Sequence, residues 1–425
     1  MGETDTLNMN KYTSKSFNHL SKINGYMIAV VCAGSLIARI FNILGIVEEG
    51  MYPIIVVFAL IVSLLSCFIL TKFKAFQMNK FSLIFLLLTI AMFLISYLRL
   101  DNHIFLNEYF IDFLSYGLIL FIMMSIPFSY EKVIAGVSML TLLILINPVV
   151  IVDGLISERG SNSGDFEIDM GLSYALLPSV VAGVVHFFYF RKQANYIVKI
   201  SYFINLFIFV LLIIFSIRGV ILSLFVLIYA LISSFLIKKS KMTGKILIYT
   251  SLATLIVVAM KINDIILFTY NYLLQKGIEF AALTKSVQKM QLGSDLSNGR
   301  SIIYEDVMQL VVDNPVIGKG ISYYAIYSGG RYPHNIVLQL LLETGIVLTI
   351  PIIIIILLAV KVSFSSMANF KEYHEYKAFI MFAFVSSIPR LMFSSYLWKE
   401  QLFWLLLFSI LGASVTKFKL LRKKM

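Results

Sequence analysis

The sequence predicts an all-α, polytopic membrane protein. Of its 425 residues, 59% are hydrophobic and only 14% are charged. Its apolar residues come in runs of about 20, the length that crosses a hydrocarbon core of about 30 Å as a helix. A soluble domain carries about 45–50% apolar and about 25% charged residues, and mean hydropathy here is +0.89. A helix satisfies every backbone polar group internally, so these runs read as helical spans.

Spans are expected near 26–46, 52–71, 81–98, 110–128, 133–152, 171–190, 197–217, 219–237, 246–260, 334–360, 376–396 and 397–416. The ninth is short, and apolar character runs on past Lys261 and Asp264 toward Leu274. The tenth is long, so it tilts or begins above the membrane.

Lys and Arg favour cytoplasmic loops. With the N-terminus inside, 22 of the 35 basic residues fall on the cytoplasmic side, while Glu48, Glu49, Asp153, Glu158, Asp165, Glu167 and Asp169 gather outside. Both termini are therefore expected in the cytoplasm, which fits twelve spans. The net charge of +12 sits between spans, so it points to lipid headgroups rather than nucleic acid. Residues 1–25 are too long and polar for the n-region of a signal peptide, and no small-residue cleavage site comes after the first apolar run. Cys32 and Cys67 both lie inside expected spans as apolar fillers, and no Cys/His cluster has zinc-ligand spacing.

The chain divides into three regions: a bundle of about nine spans (1–260), a large extracytoplasmic segment (261–332), and C-terminal helices with a basic tail (333–425). The middle segment is far longer than the usual structureless loop of at most about 12–15 residues. From Ser301 to Val312 it reads as an amphipathic helix with Ile303, Val307, Leu310 and Val311 on one stripe. Ser297 or Asn298 can cap it, Glu305 and Asp306 fall in its first turn, and Asn314-Pro315 stops it. Next come Asn314-Pro315-Val316-Ile317-Gly318-Lys319-Gly320 and then Arg331-Tyr332-Pro333-His334-Asn335. Pro333 can open a helix, which would fix His334 in the first turn of the tenth span.

The ordered set Gly299-Arg300, amphipathic helix, Asn-Pro-x-x-Gly-x-Gly, Pro-His-Asn, Leu-rich helix and Glu343-x-Gly345 resembles the O-antigen ligase and polysaccharide polymerase (Wzy/WaaL-like) superfamily. Ser216-Ile217-Arg218-Gly219 resembles that family's Ser-Arg-Gly/Thr element, with one residue inserted. The resemblance implies a GT-C-like glycosyltransferase that uses no metal and no other cofactor. Its donor would be a glycan on undecaprenyl diphosphate, and its partners the acceptor glycan, membrane lipids and a chain-length regulator protein.

That chemistry displaces a diphosphate from an anomeric carbon by a hydroxyl. Arginine suits the leaving diphosphate, because its planar donors stay charged and bind phosphate bidentately. Histidine suits the departing proton. The resemblance therefore implies His334, Arg218 and Arg300 as catalytic residues, with Arg218 at the diphosphate and Arg300 at a helix N-terminus. Arg331, Asn335, Arg390 and Glu343 are the candidate substrate-binding residues. Arg390 comes directly after Pro389, which is expected to break its helix, and Glu343 either orients an arginine or forms a structural ion pair. Tyr270, Tyr272, Tyr323, Tyr324 and Tyr327 are candidates for stacking on sugars or for anchoring at the interface.

The first expectation is a surface-polysaccharide polymerase. A ligase that transfers finished glycan to lipid A core or another acceptor shares the same motifs. A lipid-linked oligosaccharide flippase fits the span count, but flippases often have repeated halves, and here the polar motifs gather in one asymmetric segment. A non-catalytic scaffold would tolerate loss of both Arg218 and His334.

Overall fold

The computed structural model describes residues 4–43, 51–149, 171–215, 218–239, 262–276, 300–365 and 371–422, with Met242, Ile246, Thr250 and Val287 standing alone. Helices α1 (Thr4–Cys32) and α2 (Gly34–Ile43) correspond to the first expected span, but they meet at 54° rather than running straight. The bend is built from packing. A Cβ on Gly34 would lie 2.7 Å from the Tyr52 ring, and the Tyr52 hydroxyl donates to the Val31 carbonyl at 3.3 Å.

Helices α3 (Met51–Thr71) and α4 (Lys80–Arg99) match their expected runs. The Asn79 side chain caps α4 by accepting from the Phe81 and Ser82 amides. Helix α5 (Ile104–Met124) starts earlier than the expected 110 and contains a π-helical turn at Phe113–Leu118. The expected span at 133–152 is instead α6 (Tyr130–Met139) with a 3₁₀ stretch, Leu140–Ile146, after it. Pro148 restricts the residue before it, and Asn147 accordingly leaves helical geometry at φ −150° and ψ 79°.

Helices α7 (Gly171–Phe190), α8 (Tyr196–Phe215) and α9 (Arg218–Lys239) lie where the apolar runs place them. The run near 246–260 falls outside the described residues, as do the expected caps Ser297 and Asn298. Beyond come α10 (Ile262–Gln275), α11 (Arg300–Asp313), α12 (Tyr323–Ser328) and α13 (Ile336–Ser363). The chain closes with α14 (Lys371–Leu391), a 3₁₀ turn at Leu397–Lys399, and α15 (Gln401–Arg422).

Among the described residues, seven helices are long and apolar enough to cross a membrane, or eight with the bent α1–α2 pair. This is a polytopic α-helical membrane protein, and the described residues do not reach the expected count of twelve. The last two expected spans correspond to α14, which carries Lys371, Glu372, Glu375 and Lys377 in its first two turns, and to α15, whose apolar part (Gln401–Gly412) is short. The outward faces of α3 and α4 keep Ile54, Phe58, Ile69, Ile84 and Leu98 exposed, as lipid-facing helices should.

The most enclosed helix is α14, which packs against α6, α7, α9, α13 and α15. Its residues Ala378 to Ala383 have no exposed surface, and it delivers Arg390 to the middle of the helix ends. Pro389 lies inside the helix, which ends only at Leu391. Its missing amide leaves one i→i−4 hydrogen bond unmade, and the helix ends two residues later.

Candidate functional site

The amphipathic helix forms as the stripe predicts. In α11, Val307 and Val311 are buried against Tyr324 and Leu342, with Ile303 and Leu310 packed beside them. The helix starts at Arg300, so Glu305 and Asp306 lie in its second turn rather than its first. The apolar stripe thus holds α11 against α13 and fixes Arg300 at its outer end.

The Asn-Pro-x-x-Gly-x-Gly loop and the Glu-x-Gly element then grip each other by their backbones. Gly345 adopts φ 58° and ψ −157°, breaking α13. The Lys319 and Gly320 amides donate to the Leu342 and Glu343 carbonyls at 2.7 and 3.1 Å, and the Ile346 amide donates to the Pro315 carbonyl at 3.0 Å. The loop supplies the partners that the broken helix loses, as backbone at membrane depth requires. Gly318 has φ +76°, and a Cβ there would lie 2.7 Å from the Glu343 backbone. Helix α4 fastens the outer side: Arg99 Nη1 donates to the Gly318 carbonyl at 2.8 Å, and Ser96 Oγ accepts from the Ile321 amide at 2.8 Å.

Glu343 is 1% exposed. Its carboxylate accepts from Trp398 Nε1 at 2.8 Å, from Gln339 Nε2 at 3.2 Å and from the Ser322 amide at 3.4 Å. These bonds tie the loop, α13 and the turn before α15 into one unit, and none of these donors is an arginine.

His334 is not in a first helical turn. The helix opens at Ile336, and Asn335 is its cap, with Oδ1 accepting from the Val337 and Leu338 amides at 3.0 and 3.2 Å. An asparagine oxygen satisfies otherwise unpaired amides better than proline can, which decides the start. His334 stands just before the cap with φ +54°, a conformation that costs a non-glycine residue energy and persists only where packing holds it. Its ring lies 4.1 Å from that of Tyr332, and Nδ1 is buried with no hydrogen-bond partner among the described residues. Burial, reinforced by the nearby Arg300 charge, pushes its pKa down to about 4. Neutral imidazole is therefore the form at pH 7.

Around this histidine the structure gathers groups from five elements. Tyr332 donates to the Ser394 carbonyl at 3.1 Å. Burial raises the Tyr332 phenol, with Arg390 and Arg300 opposing that shift. Arg390 pairs with Glu400 at 3.3 Å, and its guanidinium lies 4.8 Å over the Tyr174 ring. Glu400 is 1% exposed, and burial raises its pKa against the pull of Arg390. Arg390 Nε is also buried without a hydrogen bond among the described residues. Only the Glu400 end of the pair is fully withdrawn from solvent, while a quarter of the Arg390 side chain stays exposed.

Arg300 lies close enough that its charge acts on His334, Tyr332 and Tyr174. The Arg218 side chain lies outside the described residues. Its neighbour Gly219 touches the site, because a Cβ there would meet the Tyr174 hydroxyl at 2.2 Å. Arg331 is exposed, and its charge acts on Tyr324. Tyr332, Tyr109 and Tyr396 form an aromatic wall, with centroids 4.7 Å apart for Tyr109–Tyr396 and 5.4 Å for Tyr332–Tyr396. The Tyr396 hydroxyl donates to Asp112.

The structure thus brings Arg300 within electrostatic reach of His334 and Tyr332, and Arg390 within reach of Tyr332, whose ring contacts His334; Asn335 and Glu343 take structural positions in α13. Sequence reasoning missed Glu400, Tyr174, Tyr396 and Asp112. An acid ten residues from Arg390, at the junction of two apolar runs, was the one signal available for Glu400. Among the described residues no three His, Cys, Asp or Glu side chains gather as a metal site would require.

No curated protein and no solved structure matches the chain. Residues 203–353 match the family described as O-antigen ligase, a segment that runs from α8 through α9, α11, the glycine loop, His334 and the broken half of α13. Arg390 and Glu400 lie beyond it. Through residues 203–353, about a third of its length, the chain is thus similar to the O-antigen ligase family, in line with the superfamily that its motif order resembles.

Proposed function

We propose that this protein is a bacterial surface-polysaccharide polymerase. It would join repeat units carried on undecaprenyl diphosphate at the outer face of the inner membrane, on a twelve-span GT-C-like fold with both termini cytoplasmic. The observation that carries the reading is that Arg300 and Arg390 both act on Tyr332, whose ring contacts His334, within and beside the segment similar to the O-antigen ligase family. Similarity to that family supports a glycosyltransferase-type activity on lipid-linked glycans.

In this reading an acceptor hydroxyl oxygen attacks the anomeric carbon of the donor. The bond from that carbon to the diphosphate oxygen breaks, and its electron pair leaves with the diphosphate. The hydroxyl proton passes to His334. Arg300, Arg390 and Arg218 hold the departing anion, and donors that tighten as its charge grows lower the barrier directly. An imidazole with pKa near 4 is a weak base alone. A diphosphate bound against Arg300 would offset that arginine's charge and raise the histidine's affinity for the proton. The aromatic wall of Tyr109, Tyr332 and Tyr396 gives sugar rings a stacking face. Arg331 is assigned to glycan on the exposed side, and Asn335 and Glu343 support the site by fixing the start and the break of α13. A chain-length regulator protein completes the proposed partners.

The test supplies purified protein with a short repeat unit on diphosphoundecaprenol, in excess chelator. A ladder of products establishes a metal-independent polymerase. Transfer only to a different acceptor makes the protein a ligase, and loss of the ladder on chelation with rescue by one metal overturns the mechanism.

A further inference from the structure

The end of α7 and the start of α8 enclose a second feature, remote from His334 and independent of the catalytic reading. A groove of about 870 Å³ runs between α7, α8 and α9, walled by apolar side chains such as Phe187, Phe203 and Ile232. At one end it meets Arg191, Lys192 and Lys199, all three exposed. Among the described residues no carboxylate pairs with any of them.

The groove is built rather than incidental. Its floor is set by close helix contact: a Cβ on Gly183 would lie 2.5 Å from Asn205, and the Asn205 amide is held by the Ser138 hydroxyl at 3.1 Å and the Ser201 carbonyl at 2.8 Å. Its charged end is fixed too. Asn195 Oδ1 accepts from the Val198 amide at 2.9 Å, closing the turn that presents Lys199. The Arg191 guanidinium lies 5.8 Å over the Phe187 ring, folded back onto the groove wall.

Its dimensions match one leaflet. Lys199 and Phe209 both line it on α8, and ten residues of helix rise about 15 Å. That is close to half of a hydrocarbon core of about 30 Å. An apolar trench about one leaflet deep, ending in three cations with no carboxylate partner among the described residues, at a turn that the charge distribution places in the cytoplasm, complements the shape and charge of an acidic phospholipid.

We propose that the α7–α8–α9 groove is a binding site for an anionic phospholipid of the cytoplasmic leaflet, with an acyl chain against Phe187, Phe203 and Ile232 and its phosphate between Arg191, Lys192 and Lys199.

The full chain, purified and delipidated, is titrated with phosphatidylglycerol or phosphatidylethanolamine of the same acyl chains, and bound lipid is counted by native mass spectrometry. Phosphatidylglycerol should bind at least about tenfold more tightly. The triple variant Arg191→Gln, Lys192→Gln, Lys199→Gln should lose that preference, while Lys72→Gln, Lys74→Gln in an exposed turn elsewhere keeps it. Ile232→Trp keeps all three cations but fills the groove, and should lower phosphatidylglycerol occupancy. Equal binding of the two lipids, equal losses in the two charge variants, unchanged occupancy in Ile232→Trp, or preference for undecaprenyl phosphate over phosphatidylglycerol would each overturn the assignment.

Discussion

Gly345 presses against the Val316 carbonyl so closely that a Cβ would lie 2.2 Å from its oxygen. Its φ 58° and ψ −157° belong to a region open essentially to glycine alone. The break in α13 and the loop that grips it are one device, and Gly345 is the residue that permits both.

Gly345→Ala should therefore destabilise the protein by about 3 kcal/mol or more, since the backbone strain and the clash with a carbonyl act together. Thermal unfolding in detergent measures it. Unchanged stability would mean that the loop can withdraw from α13 without loss. Trp398→Phe removes the nearest donor to the buried Glu343 carboxylate and should cost about 1–3 kcal/mol by the same measurement.

His334 gives the protein a pH dependence with a definite sign. Its folded pKa lies near 4, below the unfolded value near 6.5. The unfolded chain therefore binds the proton first as pH falls. The histidine's contribution is fully present above about pH 6.5 and is lost as pH drops toward 4. Wild-type thermal stability should fall faster than that of His334→Gln across this window, and parallel curves would contradict it.

Arg218, at the start of α9, and His334, just before α13, are expected to act on one reacting centre. Arg218→Lys keeps the charge but loses the planar fork, so turnover should fall strongly at normal membrane levels. His334→Ala should cost about 10²–10⁴-fold, the usual range for acid–base groups. Because residues acting as a unit are non-additive, the double variant should be little worse than the poorer single one. Near wild-type polymer from His334→Ala would leave this histidine a structural residue at the start of α13.

Orientation is testable independently of activity. Cysteines at Ser294 and Ser240, in segments outside the described residues, should react oppositely to an impermeant reagent in cells or spheroplasts. Labelling at 294 but not at 240 is expected, and the reverse pattern would invert the topology.

The sequence by itself determined the helices and their approximate ends: α3, α4, α7 and α9 lie where the apolar runs place them, because length and hydropathy alone decide whether a segment can lie in hydrocarbon. It also determined the stripe of α11, since a 3.6-residue period is local information. The ordered motifs pointed to the family, although most of their residues turned out to shape backbone rather than face the site. Only the tertiary structure decided that Gly318 and Gly345 exist for each other, that Asn335 rather than Pro333 starts α13, and that Arg390 meets Glu400, Tyr174 and the surroundings of His334. Apart from the local Asn335 cap, those relationships join residues ten to more than two hundred positions apart. They depend on which helix faces which, and α14, enclosed on nearly every side, settles that through packing that no window of sequence contains.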